Sequence, residues 1–161
     1  MIVIVMGVVG AGKTTIGKML ADRLGWEFAD ADDFHPQSNV EKISRGIPLT
    51  DVDRRPWLDR LRGAILDWIA ENRNVILACS ALKRAYREKL HTGREVRFVY
   101  LKGSAALIAD RLRSRHGHFA DESILASQLA DLEEPKGALT VEISRPHEEI
   151  VAEIRKGLQL E

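Results

Sequence analysis

Three short stretches hold the residue types that could do chemistry. The first, "GVVGAGKT", fits G-x-x-x-x-G-K-[ST] with Gly7, Gly12, Lys13 and Thr14 at the fixed positions. Glycines let such a loop wrap closely around phosphate oxygens. Its N–H groups, through Gly10, Ala11, Gly12, Lys13, Thr14 and Thr15, lead into a helix N-terminus and present the positive ends of dipoles. Lys13 is placed for β- and γ-phosphates, and the Thr14 hydroxyl for Mg²⁺. The competing reading is a Gly-rich turn with a surface lysine. The position between a strand and a helix favours the phosphate cradle, and hence a nucleoside triphosphate.

The second stretch, "FADADDFHPQSNVEK", follows the next strand. If the chain stays extended, Asp30 and Asp32 share a side and Asp33 faces the other. A carboxylate near a γ-phosphate can orient an acceptor hydroxyl, take its proton, or hold water on Mg²⁺. Asp32 is the candidate for that work, with Asp30 in support. The alternative is an acidic turn capping the next helix, a part Asp33 can fill. His35 reads equally well as a substrate contact or a turn histidine. The third stretch, "DRLRSRHGHF", puts Arg111 and Arg115 on one helix face beside a Gly-containing break. That suits a lid over phosphates, at about residues 116–121, with His118 at its tip. The plainer alternative is a basic exposed helix.

The elements that must position these groups alternate. "IVIVM" is a continuous β-branched run, as in a strand buried on both faces. Strands are also expected at "WEFAD", "NVILACS", "VRFVYL" and "LTVEIS". Helical periodicity predicts helices from Gly12 to Leu24, over Asn39–Arg45, Arg55–Glu71, "ALKRAYREKL", Ala105–Arg115, Glu122–Leu132 and Pro146–Leu158. The fold class is therefore α/β, a five-stranded parallel sheet flanked by helices. Ligands of such sheets lie beyond the carboxyl ends of the strands. Residues 1–161 read as a single domain, with an acceptor-binding excursion at about 33–56.

Composition narrows the class. The 161 residues are 45% hydrophobic and 30% charged, with a formal net charge of zero. Nothing there draws the chain globally to nucleic acid or an anionic membrane. Cys79 is the sole cysteine, which favours a reducing, cytoplasmic setting. No apolar run is long enough to span a bilayer. A guanine-reading N-K-x-D is absent, and the D-x-x-G at Asp22–Gly25 falls inside the first helix. The apolar strands "NVILACS" and "VRFVYL" end without the acid of motor and transport ATPases. An acid after the second strand resembles small-molecule and nucleoside monophosphate kinases.

The block "HPQSNVEKISRGIPLTDVDRRPWLDRL" closely resembles the signature of the gluconokinases, small P-loop kinases that phosphorylate D-gluconate on its 6-hydroxyl. The likeness continues in "CSALKRAYREKL", "FVYLKG", "GHF" and "SQLADLEEP" and covers nearly the whole chain. Val9, Ile43 and Ala120 depart from the family pattern, and none is a candidate catalytic group. The resemblance implies a P-loop kinase fold with a small lid, ATP and Mg²⁺ as cofactors, and gluconate as acceptor. Its members are often homodimers. For a carboxylate-bearing polyol, Arg or Lys should meet the carboxylate and Asp, Asn or His the hydroxyls. The candidates are Asp30, Asp32, His35, Asn39, Lys42, Arg45, Arg54, Ser80, Lys83, Arg87, His118 and Gln128. Arg54, Lys83 and Arg87 are the strongest for the carboxylate. Pro146, in "SRPHEE", is expected beside the adenine. Another hydroxy acid, such as shikimate, and a switch without transfer chemistry are the alternatives.

Overall fold

The protein is described from a computed structural model covering residues 1–116 and 119–160, with side chains described for 1–114 and 123–160. Its elements are β1 (Ile2–Met6), α1 (Lys13–Leu24), β2 (Glu27–Asp30), a 3₁₀ turn (Ala31–Phe34), α2 (Gln37–Ser44), α3 (Asp51–Ala70) and β3 (Val75–Ala78). They continue with α4 (Arg84–Leu90), β4 (Val96–Lys102), α5 (Ala105–His116), α6 (Phe119–Asp131), β5 (Leu139–Glu142) and α7 (His147–Leu158). The five strands form one sheet in the order β2-β3-β1-β4-β5. Every pairing is parallel, so the expected architecture is the observed one.

Alternation along β1 divides the interior. Val3 and Val5 point into a core with Ile16 and Leu20 of α1 and Ile154 of α7. Ile2, Ile4 and Met6 point into the other, with Leu58, Leu61 and Ile65 of α3 and Leu90 of α4. The register sets Ile2 beside both Val75 and Val96, which brings the carboxyl ends of β1, β3 and β4 to one edge. That edge carries the loop before α1 and, one strand away, Asp30, which pairs with Ala78.

Some boundaries differ from expectation for local reasons. The long helix starts at Asp51, a turn before Arg55, because Thr50 and Asp53 form a reciprocal capping box. Pro56 lies inside α3, and the bond it cannot make would go to Val52, an exposed residue. The helix after β3 starts at Arg84 instead of Ala81, because Ala81 turns the backbone left-handed at φ 44°. After β2 the chain does not stay extended. It coils at once into the 3₁₀ turn, with Asp30 Oδ1 accepting from the Asp32 amide at 2.9 Å.

Leu61 is wholly buried between α3 and the sheet. Leu61→Ala should lower unfolding free energy by about 2–5 kcal/mol, measured by denaturant titration with an unchanged m-value.

Candidate active site

The loop between β1 and α1 is shaped by two left-handed glycines. Gly12 caps α1 at φ 97°, and Gly10 sits at φ 80°. A Cβ on Gly10 would come within 2.9 Å of the Leu112 side chain, so the loop is pressed against α5. Within the loop the Ala11 amide donates to Val8 O at 3.1 Å. Lys13 folds back, its Nζ donating to the same carbonyl at 3.0 Å. Burial pushes the Lys13 pKa down, while Asp32 and Asp30 oppose that shift. Thr14 Oγ1 lies 3.5 Å from Asp30 Oδ2.

A cavity of about 400 Å³ opens at this edge. Gly10, Gly12, Lys13, Thr14 and Thr15 line it from the loop, and Asp30, Asp32, His35, Arg54, Ser80 and Gln128 from the other elements. The structure thus brings these sequence candidates together. Asp30 and Asp32 do so through the 3₁₀ turn, not through the shared face of an extended strand. A larger groove of about 1070 Å³ lies at the opposite ends of β4 and β5, away from the loop. The loop residues line the smaller cavity and not the larger groove.

Asp32 points its carboxylate into the open cavity, with its side chain 81% exposed. The walls around it and the neighbouring Asp30 charge raise its pKa, against Lys13, which lowers it. Solvent access moderates that shift, but its direction makes Asp32 a better proton acceptor than an ordinary aspartate. His35 stacks on Trp57, ring centroids 4.6 Å apart. Its Nε2 lies 3.9 Å from Asp32 Oδ1. Burial first, then the Arg54 charge, hold its pKa down at about 4. Cys79 is buried, and burial pushes its thiol up to about 12, so it is not a nucleophile.

Arg54 is the basic residue that reaches this cavity from α3. Its Nη1 donates to Tyr86 OH at 2.9 Å, and its Nη2 lies 3.4 Å from Asp131 Oδ2. The remaining basic candidates need correction. Arg87 spends its guanidinium on the carbonyls of Ala81, Leu82 and Glu133, at 2.7, 3.0 and 2.7 Å, and lines the other groove. Lys83 pairs with Asp51 at 2.9 Å, and Lys42 with both Asp53 oxygens at 2.9 Å. Arg45 is exposed beyond the end of α2 and does not line the cavity. Asn39 is buried, its amide turned to Asp53 O and His35 Nδ1, and it does not line the cavity. Arg111 donates to Ile143 O at 2.6 Å, at the strand end that carries Pro146. Neither lines the cavity, and no arginine clamp over the cradle is formed by Arg111. Gly7 and Ala11 do not line the cavity: Ala11 is buried, and a Cβ on Gly7 would lie 3.1 Å from the Ala11 Cβ. The Arg115 side chain, His118 and the lid tip lie outside the described residues.

The bond that Gln128, read as an acceptor contact, makes to the cradle, the residues that hold Arg54 and the second role of Trp57 were not legible in the sequence. Gln128 Oε1 accepts from the Val9 amide at 2.6 Å, joining α6 to the cradle. Tyr86 and Asp131 hold Arg54, although neither stands near it in sequence. Trp57 reads as a core residue, and it is one at 2% exposure, yet it also walls the cavity. An apolar helix face carries no signal that separates those two roles.

This arrangement is that of P-loop kinases of small molecules, in which donor and acceptor meet beyond the strand ends. Residues 9–155 match the family model described as shikimate kinase. A gluconokinase from Gluconobacter oxydans is 49% identical, over 82% of this chain and 75% of its own. The thermosensitive gluconokinase of Escherichia coli is 44% identical, over 83% and 72% respectively. The crystal structure of a gluconokinase from Sinorhizobium meliloti, 42% identical, superposes with a TM-score of 0.87 over 98% of this chain and 90% of that one. The chain belongs to the shikimate kinase family and, within it, to the gluconokinases.

Because Arg87 satisfies three carbonyls, Arg87→Ala should lower the melting temperature while leaving the KM for the acceptor within about twofold. Differential scanning calorimetry and steady-state kinetics on the same preparation separate this from a substrate-binding role, which would raise KM.

Proposed function

We propose that the protein transfers the γ-phosphoryl group of ATP to the 6-hydroxyl of D-gluconate, giving 6-phospho-D-gluconate and ADP. The observation that carries this is one cavity lined by Lys13, Asp32 and Arg54 in a chain up to 49% identical to gluconokinases. The cradle takes the donor. Lys13, now bonded to Val8 O, turns to the β- and γ-phosphates and balances their charge. Asp32 orients the acceptor hydroxyl and takes its proton as the O–P bond forms. Arg54 meets the gluconate carboxylate, already held in place by Tyr86 and Asp131.

A divalent cation fits the Thr14 hydroxyl and the Asp30 carboxylate, whose oxygens converge at 3.5 Å. Among the described residues no group of three or more His, Cys, Asp or Glu could hold a metal unaided. Mg²⁺ would therefore be shared with nucleotide phosphates, where it supplies charge neutralisation. One kinase domain over residues 1–161, a cytoplasmic site of action and a homodimer belong to the same proposal. ATP consumption and a lone free cysteine support the location, and size-exclusion chromatography with light scattering decides the dimer.

D-Gluconate should be a good acceptor and D-glucose a poor one, because glucose brings no carboxylate of its own to Arg54. Coupled ADP-release assays over sugar acids check this. Equal kcat/KM for the two would refute the carboxylate site, and turnover of shikimate alone would move the substrate. Asp32→Asn keeps the size of the side chain but removes its basicity. The kcat should drop by about 10²–10⁴-fold with folding unaffected. A loss of thermal stability with near-normal kcat would make Asp32 a capping residue and turn attention to Asp30.

A further inference from the structure

Asn39 is 2% exposed, and its amide nitrogen has two partners. One is the backbone carbonyl of Asp53 at 2.8 Å; the other is His35 Nδ1 at 3.1 Å. The carbonyl can only accept a hydrogen bond. It therefore settles which end of the amide faces it, because the reverse orientation would set oxygen against oxygen in a buried place. One amide hydrogen goes to Asp53 and the other to His35. Nδ1 must then offer a lone pair, and the neutral ring carries its hydrogen on Nε2. Stacking on Trp57, with 13° between the ring planes, holds the imidazole in that plane. A ring flip would replace Nδ1 with a carbon and strand the Asn39 N–H.

We infer that Asn39 is a positioning residue that locks His35 in its Nε2–H tautomer, making His35 a fixed neutral donor to a hydroxyl of the acceptor. This rests on the reading of the cavity as a polyol site. At 3.9 Å, Nε2 and Asp32 Oδ1 are too far apart to bond directly. A hydroxyl oxygen about 2.8 Å from each spans the gap. It accepts from Nε2–H and can then give its own hydrogen only to Asp32. The direction of the chain is set from Asn39 through His35 and the hydroxyl to Asp32. The opposite tautomer would aim a lone pair at the cavity and compete with Asp32 for the same hydrogen.

Burial first, and then the Arg54 charge, favour the neutral ring, while the Asp32 carboxylate acts against them. Arg54 faces it from α3 and Asp32 from its own turn, while Lys42 and Asp53 beside Asn39 pair with each other. With its pKa held at about 4, the ring stays neutral at physiological pH, and the donor stays the same.

The direct test is long-range ¹H–¹⁵N correlation NMR of the intact, ligand-free protein at pH 7. His35 should show a protonated Nε2 and a bare Nδ1. An Nδ1–H tautomer, a rapidly averaged pair or a charged ring would overturn the inference. No substrate is present, so this result is independent of whether gluconate is the acceptor, which the sugar-acid assays decide. The second arm is Asn39→Asp, whose carboxylate accepts from Nδ1–H and raises the ring pKa. Its Nε2 is protonated only while the ring is charged. The kcat/KM of the variant relative to wild type should therefore fall by about tenfold or more as pH rises from about 6 to 8. A merely structural asparagine predicts the same ratio at every pH, and that result would count against the inference. If Asn39→Asp does not fold, His35→Phe keeps the stack on Trp57 without the donor. Its KM for gluconate should rise about tenfold with the KM for ATP unchanged, and an unchanged gluconate KM would overturn the donor role.

Discussion

The site depends on a strand that presents no side chain to water. All five residues of β1 are buried, alternately into two cores. A slip of one residue would exchange both faces at once, so neither core permits it. Neighbours on both sides, β3 and β4, fix the height of the strand in the sheet. The loop that follows inherits this position. Gly10 then lets the loop approach Leu112 of α5 more closely than any Cβ would allow. The cradle is thus set in place by packing before a phosphate arrives, which is what electrostatic stabilisation of a developing charge requires.

Charge at the acceptor side is governed by a different economy. The sequence places many cations there, yet most of them are engaged elsewhere. The turn after β3, with left-handed Ala81, leaves carbonyls that no helix satisfies, and Arg87 supplies their hydrogens. Asp51 and Asp53 in the first turn of α3 suit its positive end and draw Lys83 and Lys42. Arg54, from the same turn, is left lining the cavity. Its guanidinium meets Tyr86 from α4 and Asp131 from α6, so three helices agree on its place.

What could be read from the residues follows from the range of the forces involved. The β-branched run of β1, the helical spacing in α1 and the glycine pattern are local, and they yielded the architecture and the cradle. Asp32 and Arg54 were candidates because a P-loop kinase acting on a sugar acid needs a carboxylate and a partner for the acceptor's carboxylate near the strand ends, and both line the cavity. Their neighbours Lys42, Lys83 and Arg87 have the same residue types but lie on other faces or in other bonds. Only packing between distant segments distinguishes them, as when Glu133 brings its carbonyl to Arg87. Asn39 is the clearest case. Its type suits a sugar hydroxyl, but its burial and the carbonyl of Asp53, 14 residues away, turn it inward.

The two halves of the site meet at one carboxylate. Asp30 ends β2 and accepts the Asp32 amide through Oδ1, which forces the chain out of the strand and into the 3₁₀ turn. Its Oδ2 lies toward the Thr14 hydroxyl on the donor side. The bond that shapes the acceptor turn therefore also sets the distance between Asp32 and the cradle. Desolvation raises the pKa of Asp32 and the same negative charge adds to the rise, while Lys13 opposes it. When Lys13 turns to phosphate its charge is shared with the new anion, and its hold on the Asp32 pKa weakens. The phosphate charge alone would therefore leave Asp32 more basic, whereas a cation shared by Thr14, Asp30 and the phosphates would offset the Asp30 charge and act in the opposite direction, so Asp30 is the point at which donor and acceptor sides are electrostatically joined.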